Sequence, residues 1–296
     1  MNILGTLQLG LIYSVLALGI FITFRVMNMP DLTVDGSFTL GLSVSAMLTI
    51  QGMPLLGLFL GFLCGAAAGA ITGFLQTKAG ILPLLSGILT MIGLYSINLL
   101  VMKGSPNVSL LQTNTVFSQV QKWLPDINKD IVKLCIVLFL CLLCLLILVW
   151  FFKTGLGLQV RATGSNAAMV RASSINADTT KILSVSIANG LVGLSGGVLA
   201  QYQGYADINS GAGIIVVGLA SVIIGEVILR KPSILIGLMA AAVGAVIYRF
   251  LIALALYANF FPAYMLRFVS AIIVAVTLSV PKIREIYQNS KLKRRH

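Results

Sequence analysis

Nine stretches of this chain run for about 20 residues with few polar side chains, the length a helix needs to cross the core of a bilayer. They fall at roughly 3–24, 37–51, 54–77, 81–102, 131–152, 181–203, 211–229, 233–256 and 262–280. Backbone in lipid must satisfy its own hydrogen bonds, so runs of this kind are restricted to helix. Composition points the same way: 58% of the residues are apolar and 9% charged, against roughly 25% charged in a soluble domain. The sequence therefore predicts an all-α integral membrane protein, a single transmembrane domain over 1–296, with about nine spans, some short or broken. No Lys or Arg precedes Arg25 and no cleavage site stands out, so the first run reads as a retained helix rather than a signal peptide.

The charge that survives is lopsided, 20 Lys+Arg against 8 Asp+Glu for a net of +12. In a soluble chain such a surplus would raise nucleic acid as a partner. Here it is topological, because basic residues collect on cytoplasmic loops. Placing the loop 153–181 inside gathers Arg25, Lys78, Lys153, Arg161, Arg171, Lys181, Arg230, Lys231 and the basic tail 282–296 on one side. That sets the amino terminus outside and the carboxyl terminus in the cytoplasm, where the tail can meet anionic lipid. No nucleic acid partner is expected.

Catalytic chemistry has little to work with. The one histidine is His296, and Cys64, Cys135, Cys141 and Cys144 lie in apolar runs without polar ligands beside them. There is no phosphate-binding glycine loop, no G-x-S-x-G and no H-E-x-x-H. Neither an enzyme nor a metal site is expected.

Two stretches interrupt the spans. Residues 25–36, RVMNMPDLTVDG, and 204–213, GYADINSGAG, are polar or glycine-rich, and each leads into a short helix followed by a proline, Pro54 or Pro232. Irregular backbone at membrane depth survives only inside protein or beside a wet cavity. The two short helices run in opposite directions in this topology, the pattern of an inverted repeat with its site at the interface. Gly61, Gly65, Gly69 and Gly73 put small residues on one face of the third span, and Gly190, Gly193 and Gly197 do so on the sixth. Helix packing within the monomer is the plainer reading of both, ahead of a dimer face.

The loop 153–181 has the pattern of structure. Gly155 and Gly157 can stop the fifth helix as residues that tolerate a left-handed conformation. Ser165 or Asn166 can cap a short helix with Ala167, Ala168, Met169, Val170 and Ala172 on its apolar face and Arg171 charged. Such a helix suits a socket in a partner protein or the lipid surface, and the pattern alone leaves both open.

The run Thr154-x-x-Gly157-x-x-x-Arg161-Ala162-x-Gly164-x-Asn166, followed by Arg171 and Ile175, resembles the cytoplasmic loop of ABC importer permeases of the branched-chain amino acid and ribose (monosaccharide) family. The likeness extends over most of the chain, through Leu11–Gly19, Ala188–Gly197 and Gly218–Gly225. It departs where Ala167 replaces a usual proline, Ser174 a common glycine, and Glu226 a frequent second glycine. The stretch Pro30–Phe38 looks closer to a sub-branch assigned to tryptophan/tyrosine or uncharacterised substrates.

The resemblance implies an ATP-driven importer of an amino acid or similar small polar solute in the bacterial plasma (inner) membrane. Two copies would form the pathway, with ABC ATPase subunits holding ATP and Mg²⁺ below and an extracytoplasmic binding lipoprotein above. No cofactor is expected in this chain. Gly157, Arg161, Gly164, Asn166, Met169 and Arg171 would couple to the ATPase. Asp31, Asp35 and Glu226 are costly charges in or beside spans and candidates for the pathway. Arg25 is the expected partner of the aspartates, and Arg230 of Glu226 at i, i+4. Asn98 and Asn189 are amides in apolar helices, fit to line the pathway or join helices. Asp207, with Tyr205 and Tyr202, would dock the binding protein or pair with Arg249 or Arg267, and segment 103–130 is expected to hold an amphipathic surface helix with Trp123 and Pro125. The rival class is a stand-alone secondary transporter that couples ions through the carboxylates.

Overall fold

The computed structural model describes residues 3–229, 233–257, and positions 268, 270–272, 274 and 275. Among them, eight helical segments are long and apolar enough to cross a membrane, and the protein is an all-α membrane protein. The expected ninth span, 262–280, lies mostly outside the described residues, as do the basic tail, Arg230, Lys231 and Arg267.

The spans are α1 (Ile3–Ile20), α2 (Thr33–Ile50), α3 (Pro54–Thr77), α4 (Pro83–Val101), α6 (Lys129–Lys153), α9 (Ala177–Gln203), α10 (Ile214–Ile228) and α11 (Ile234–Tyr257). Between them lie β1 (Asn107–Ser109), α5 (Val116–Trp123), α7 (Gly155–Ser165), α8 (Ala167–Ala172) and β2 (Tyr205–Asp207). Pro54 and Pro83 open α3 and α4 at a first-turn position, where the missing N–H costs nothing. The two short strands form an antiparallel ribbon, Val108 opposite Ala206, on the face opposite α7 and α8. α1, α2 and α9 are buried along most of their length, whereas α4 and α6 leave most of their surface exposed.

Both interruptions are built into the interior. α1 ends in a π-helical turn, Phe21–Val26. Asn28 then takes a left-handed φ of 52°, which asparagine tolerates, and Pro30 blocks further helix. The chain climbs back until Asp31 accepts the Thr33 N–H at 3.0 Å and α2 begins. On the other side, Asp207 accepts the Asn209 N–H at 2.6 Å. A 3-10 turn (Ile208–Gly211) descends from there to the start of α10. α2 thus begins four residues before its expected start and lies deeper than a surface loop would place it.

The helices pack as two inverted units, α1–α2–α3 and α9–α10–α11. α3 packs on α9 as α11 packs on α1, α2 on α3 as α10 on α11, and α2 on α9 as α10 on α1. Individual contacts repeat at one sequence separation. Gly19 packs on the carbonyl of Ala188, and its counterpart Ser195 donates to the carbonyl of Ile12 at 2.8 Å. Asp31 and Asp207, the two turn-formers, stand at that same separation. The glycines of α3 serve this packing: Gly65, Gly69 and Gly73 lie on Asn189, Val185 and Ile182 of α9, so their role here is contact within the protomer.

Candidate functional site

α6 turns into α7 through one extended residue, Thr154, whose hydroxyl accepts the Gly157 N–H at 3.3 Å. The left-handed stop expected of Gly155 and Gly157 is absent, since neither has a positive φ. Gly157 is needed for its size, because a Cβ there would enter the backbone of Phe151 and Phe152. Gly164 likewise rests on the backbone of Val26 and Met27, joining α7 to the turn that ends α1. Thr163 and Thr180 hydroxyls, 2.9 Å apart, tie α7 to α9.

Asn166 caps α8, its Oδ1 accepting the Met169 N–H at 3.0 Å. Of the expected apolar face of α8, only Val170 is buried; Met169 is 66% exposed. Arg171 donates to Asp178 Oδ1 at 3.2 Å, and Lys78 lies 3.6 Å from the other carboxylate oxygen. Asp178 therefore ties α8 and the end of α3 to α9, a role the sequence reading missed. The three departures from the family pattern find local reasons. Ala167 is the first helical residue after the Asn166 cap, where proline is favoured but not required. Ser174 sits at φ 59°, in the left-handed region that favours glycine. Glu226 makes an ion pair.

That pair is with Arg25, Nε to Oε1 at 2.6 Å, and it corrects one expectation: Arg25 is committed to Glu226 rather than to the aspartates. It joins the end of α1 to the end of α10. The expected pairing of Glu226 with Arg230 lies outside the described residues. Arg25, Glu226 and Arg161 line one cavity of about 470 Å³.

Deeper in the membrane, two candidates of separate origin meet. Asn189, fully buried on α9, donates to Asp31 Oδ2 at 2.7 Å and to the Val185 carbonyl at 3.0 Å. Beside them a chain of hydroxyls, Thr33 to Thr72 at 2.7 Å and Thr72 to Thr90 at 2.9 Å, links α2, α3 and α4. Asp35 takes the first amides of α10, with Gly213 N at 2.8 Å and Ile215 N at 3.0 Å. A carboxylate there suits the positive end of the helix dipole. Asn98 on α4 donates to the Gly36 carbonyl at 3.3 Å. Asp35 and Asn98 share a second cavity, of about 450 Å³.

On the ribbon face, Asp207 caps its turn and Tyr205 is half exposed on β2. Arg249 stacks over the Tyr13 ring, 5.4 Å from its centroid, instead of pairing with Asp207. Tyr202 points inward, its hydroxyl donating to Gln8 Oε1 at 2.7 Å. The expected surface helix is α5, with Val116 and Phe117 buried and Trp123 exposed. Gln201 holds it by accepting the Val116 N–H at 2.9 Å while donating to Ser45 and to the Pro54 carbonyl. An amide in an apolar helix was the available signal for Gln201, as it was for Asn98 and Asn189.

A family profile described as branched-chain amino acid transport system / permease component matches residues 2–278. The chain is 38% identical over 252 residues, 85% of its length and 82% of the relative's, to a tyrosine transport system permease protein of Clostridioides difficile (strain R20291). It is 33% identical to an uncharacterized protein of Rickettsia prowazekii (strain Madrid E), over 97% of its own length and 100% of the relative's. It is 25% identical to the ribose import permease protein of Escherichia coli (strain K12), over 76% and 68%. No solved structure matches the chain significantly. Eight candidate spans, an appended pair of short helices on one face, and these relatives agree: the chain is a multi-pass membrane protein belonging to the branched-chain amino acid transport system / permease component family of ABC transporter permeases.

Proposed function

We propose that this chain is the membrane subunit of an ATP-driven importer that carries an amino acid or a similar small polar solute. Two copies form the pathway. ATPase subunits holding ATP and Mg²⁺ dock on the α7–α8 face, and an extracytoplasmic binding lipoprotein delivers solute to the ribbon face, where Tyr205 and Asp207 lie. The α7–α8 face is then cytoplasmic and the amino terminus outside, in a bacterial plasma membrane. The basic residues Arg25, Lys78, Lys153, Arg161 and Arg171 on or next to that face support this orientation. The relative named for tyrosine transport is more similar than those named for ribose import, which favours an amino acid.

The observation that carries the reading is the exposed Met169 on a helix held firmly from behind. The Asn166 cap, buried Val170 and the Thr163–Thr180 bond fix α8. A long apolar side chain on a rigid exposed turn is suited to a groove in a partner. Arg171 is a less clean probe, because Asp178 already engages it. Met169→Asp should therefore weaken copurification with the ATPase and lower uptake by proteoliposomes, while leaving the chain folded. A variant that copurifies and transports as the parent does would sink the proposal. Ion coupling by the chain alone is the weaker reading, since Asp31 and Glu226 are each held by donors of other helices.

A further inference from the structure

Three spans end around one cavity. The π-helical turn that closes α1 brings Phe21 and Arg25 to it, the last turn of α10 brings Glu226, and the start of α11 brings Ile234, with Ser233 just before it. α7 closes the remaining side with Arg161 and Ser165, four residues apart and so on one face of that helix. At about 470 Å³ the space has the size of a small-ligand site, roughly 300–1,000 Å³. The apolar spans Ile3–Val26, Ile208–Ile228 and Ile234–Tyr257 each begin or end here. The cavity therefore stands at the level where lipid headgroups take over from acyl chains.

Its charges do not balance. Glu226 engages Arg25 at Nε, which orients that guanidinium and leaves its Nη hydrogens as donors. Arg161 is exposed and has no carboxylate partner among the described residues. Two guanidiniums against one carboxylate leave one positive charge in the described wall, and Ser165 and Ser233 add two hydroxyls. The backbone contact of Gly164 with Val26 holds α7 against the end of α1, so the two arginines are presented from supports locked to each other. The rest of the wall is apolar, through Phe21, Val26, Leu229 and Ile234.

We infer that this cavity holds the phosphodiester of an anionic phospholipid, with Arg161 and the Nη edge of Arg25 on its oxygens and the apolar wall against its glycerol and first acyl carbons. A phosphodiester carries one negative charge, which matches the one positive charge left over. Inorganic phosphate shares the oxygen chemistry but would exceed that charge and leave the apolar wall uncovered. A carboxylate has two oxygens where phosphate has four, too few for two guanidiniums and two hydroxyls. A zwitterionic headgroup would bring its own cation to a site that already has one in excess. The planar guanidinium fits phosphate in two-point fashion, and basic pockets between spans on a cytoplasmic face suit anionic headgroups. That this face is cytoplasmic rests on the importer reading; the match of charge and wall does not. Arg161 thereby has a task within the membrane subunit itself, apart from the ATPase contact that the sequence resemblance implies.

The test titrates the full chain, delipidated in dodecyl maltoside, with dioleoyl phosphatidylglycerol and counts bound lipid by native mass spectrometry. One phosphatidylglycerol should bind ahead of the rest. Arg161→Gln should weaken that first binding roughly tenfold or more, the scale of a hydrogen bond to a charged group. Lys153→Gln removes a cation near the same face but outside the cavity, and should leave the first binding unchanged; both positions are exposed, so both variants should fold. Dioleoyl phosphatidylcholine should bind the parent several-fold more weakly, and millimolar inorganic phosphate should not displace the bound lipid. Unchanged affinity in Arg161→Gln overturns the inference, and so does an equal loss in Lys153→Gln, which would reduce the effect to diffuse surface charge. Equal affinity for phosphatidylcholine overturns it too, as does displacement by inorganic phosphate, which would assign the cavity to a free anion. No ATPase or solute takes part, so failure here is separable from failure of the importer reading, which is judged by copurification.

Discussion

Replacing Gly41 with alanine should destabilise the chain, whereas the same replacement at Gly93 should not. Gly41 lies where α2 crosses α9, and a Cβ added there would enter the backbone of Gly193. Gly193 in turn rests on the Gly61 carbonyl of α3, so three helices meet with no side chain between them. Restoring ordinary carbon–carbon contact at 3.5–4.0 Å requires the helices to part by roughly 1–2 Å. Overpacking of that kind costs about 1–3 kcal/mol. The separation would also break the 3.1 Å bond from Ser45 to the Gly197 carbonyl, a further 0.5–1.5 kcal/mol or so. Alanine gives back about 1 kcal/mol through its higher helix propensity. The net is a loss of about 0.5–3.5 kcal/mol.

At Gly93, on the exposed side of α4, nothing lies within 4 Å of an added Cβ, so only the gain of about 1 kcal/mol remains. The two variants should differ by about 1.5–4.5 kcal/mol in reversible unfolding by SDS in mixed micelles, followed by circular dichroism. Because the substitution is chemically identical and both sites are helical, the propensity gain cancels between them. Gly41→Ala and Gly93→Ala unfolding within about 0.5 kcal/mol of each other would refute the close crossing of α2 and α9.

Two further outcomes follow from the buried and half-buried charges. Asn189→Leu removes the donor that reaches Asp31 across helices and should cost about 1.5–3 kcal/mol in the same unfolding assay; a neutral result would mean that the bond contributes nothing. The Arg25–Glu226 pair is screened by solvent, Arg25 being 59% exposed. A double-mutant cycle with Arg25→Ala and Glu226→Ala should therefore give a coupling of about 0.5–1 kcal/mol, and a value near 3 kcal/mol would show that the pair is dry.

The spans were legible because an apolar run of membrane length has one backbone solution, and the α8 cap because Asn166 stands before a run of small apolar residues. Partners across the bundle were not. Asn189 and Asp31 each looked costly alone, but only packing shows that they compensate one another. Arg25 stands close to the aspartates in sequence, yet the end of α1 brings it to Glu226 on α10. Gly155 and Gly157 were read as stops because glycine tolerates a positive φ, when close approach was the need at Gly157. The repeat was faint for a related reason. Gly19 and Ser195 are counterparts, as are Gly10 and Ser186, and Ser14 and Gly190. Ser14 donates to the Ala242 carbonyl at 2.8 Å, while Gly190 touches Phe62 and Ala66. Packing preserves small size at these positions and leaves identity free to drift, so similarity of letters fades while the geometry stays.

The same close contacts bear on how force could cross the molecule. A push on α7 meets Val26 through Gly164, backbone against backbone, with no side chain between them to change rotamer and absorb it. Val26 adjoins Arg25, and Arg25 is bonded to Glu226 on the last turn of α10. α10 has 15 residues, a rod of about 22 Å, and its first amides rest on Asp35. The cavity around Arg161 and the cavity around Asn98 are therefore the two ends of one short helix. An arrangement of this kind needs no wire of side chains through the core. It needs only that α10 shift as a body, and the weak, half-solvated Arg25–Glu226 pair is the joint at which that shift would begin.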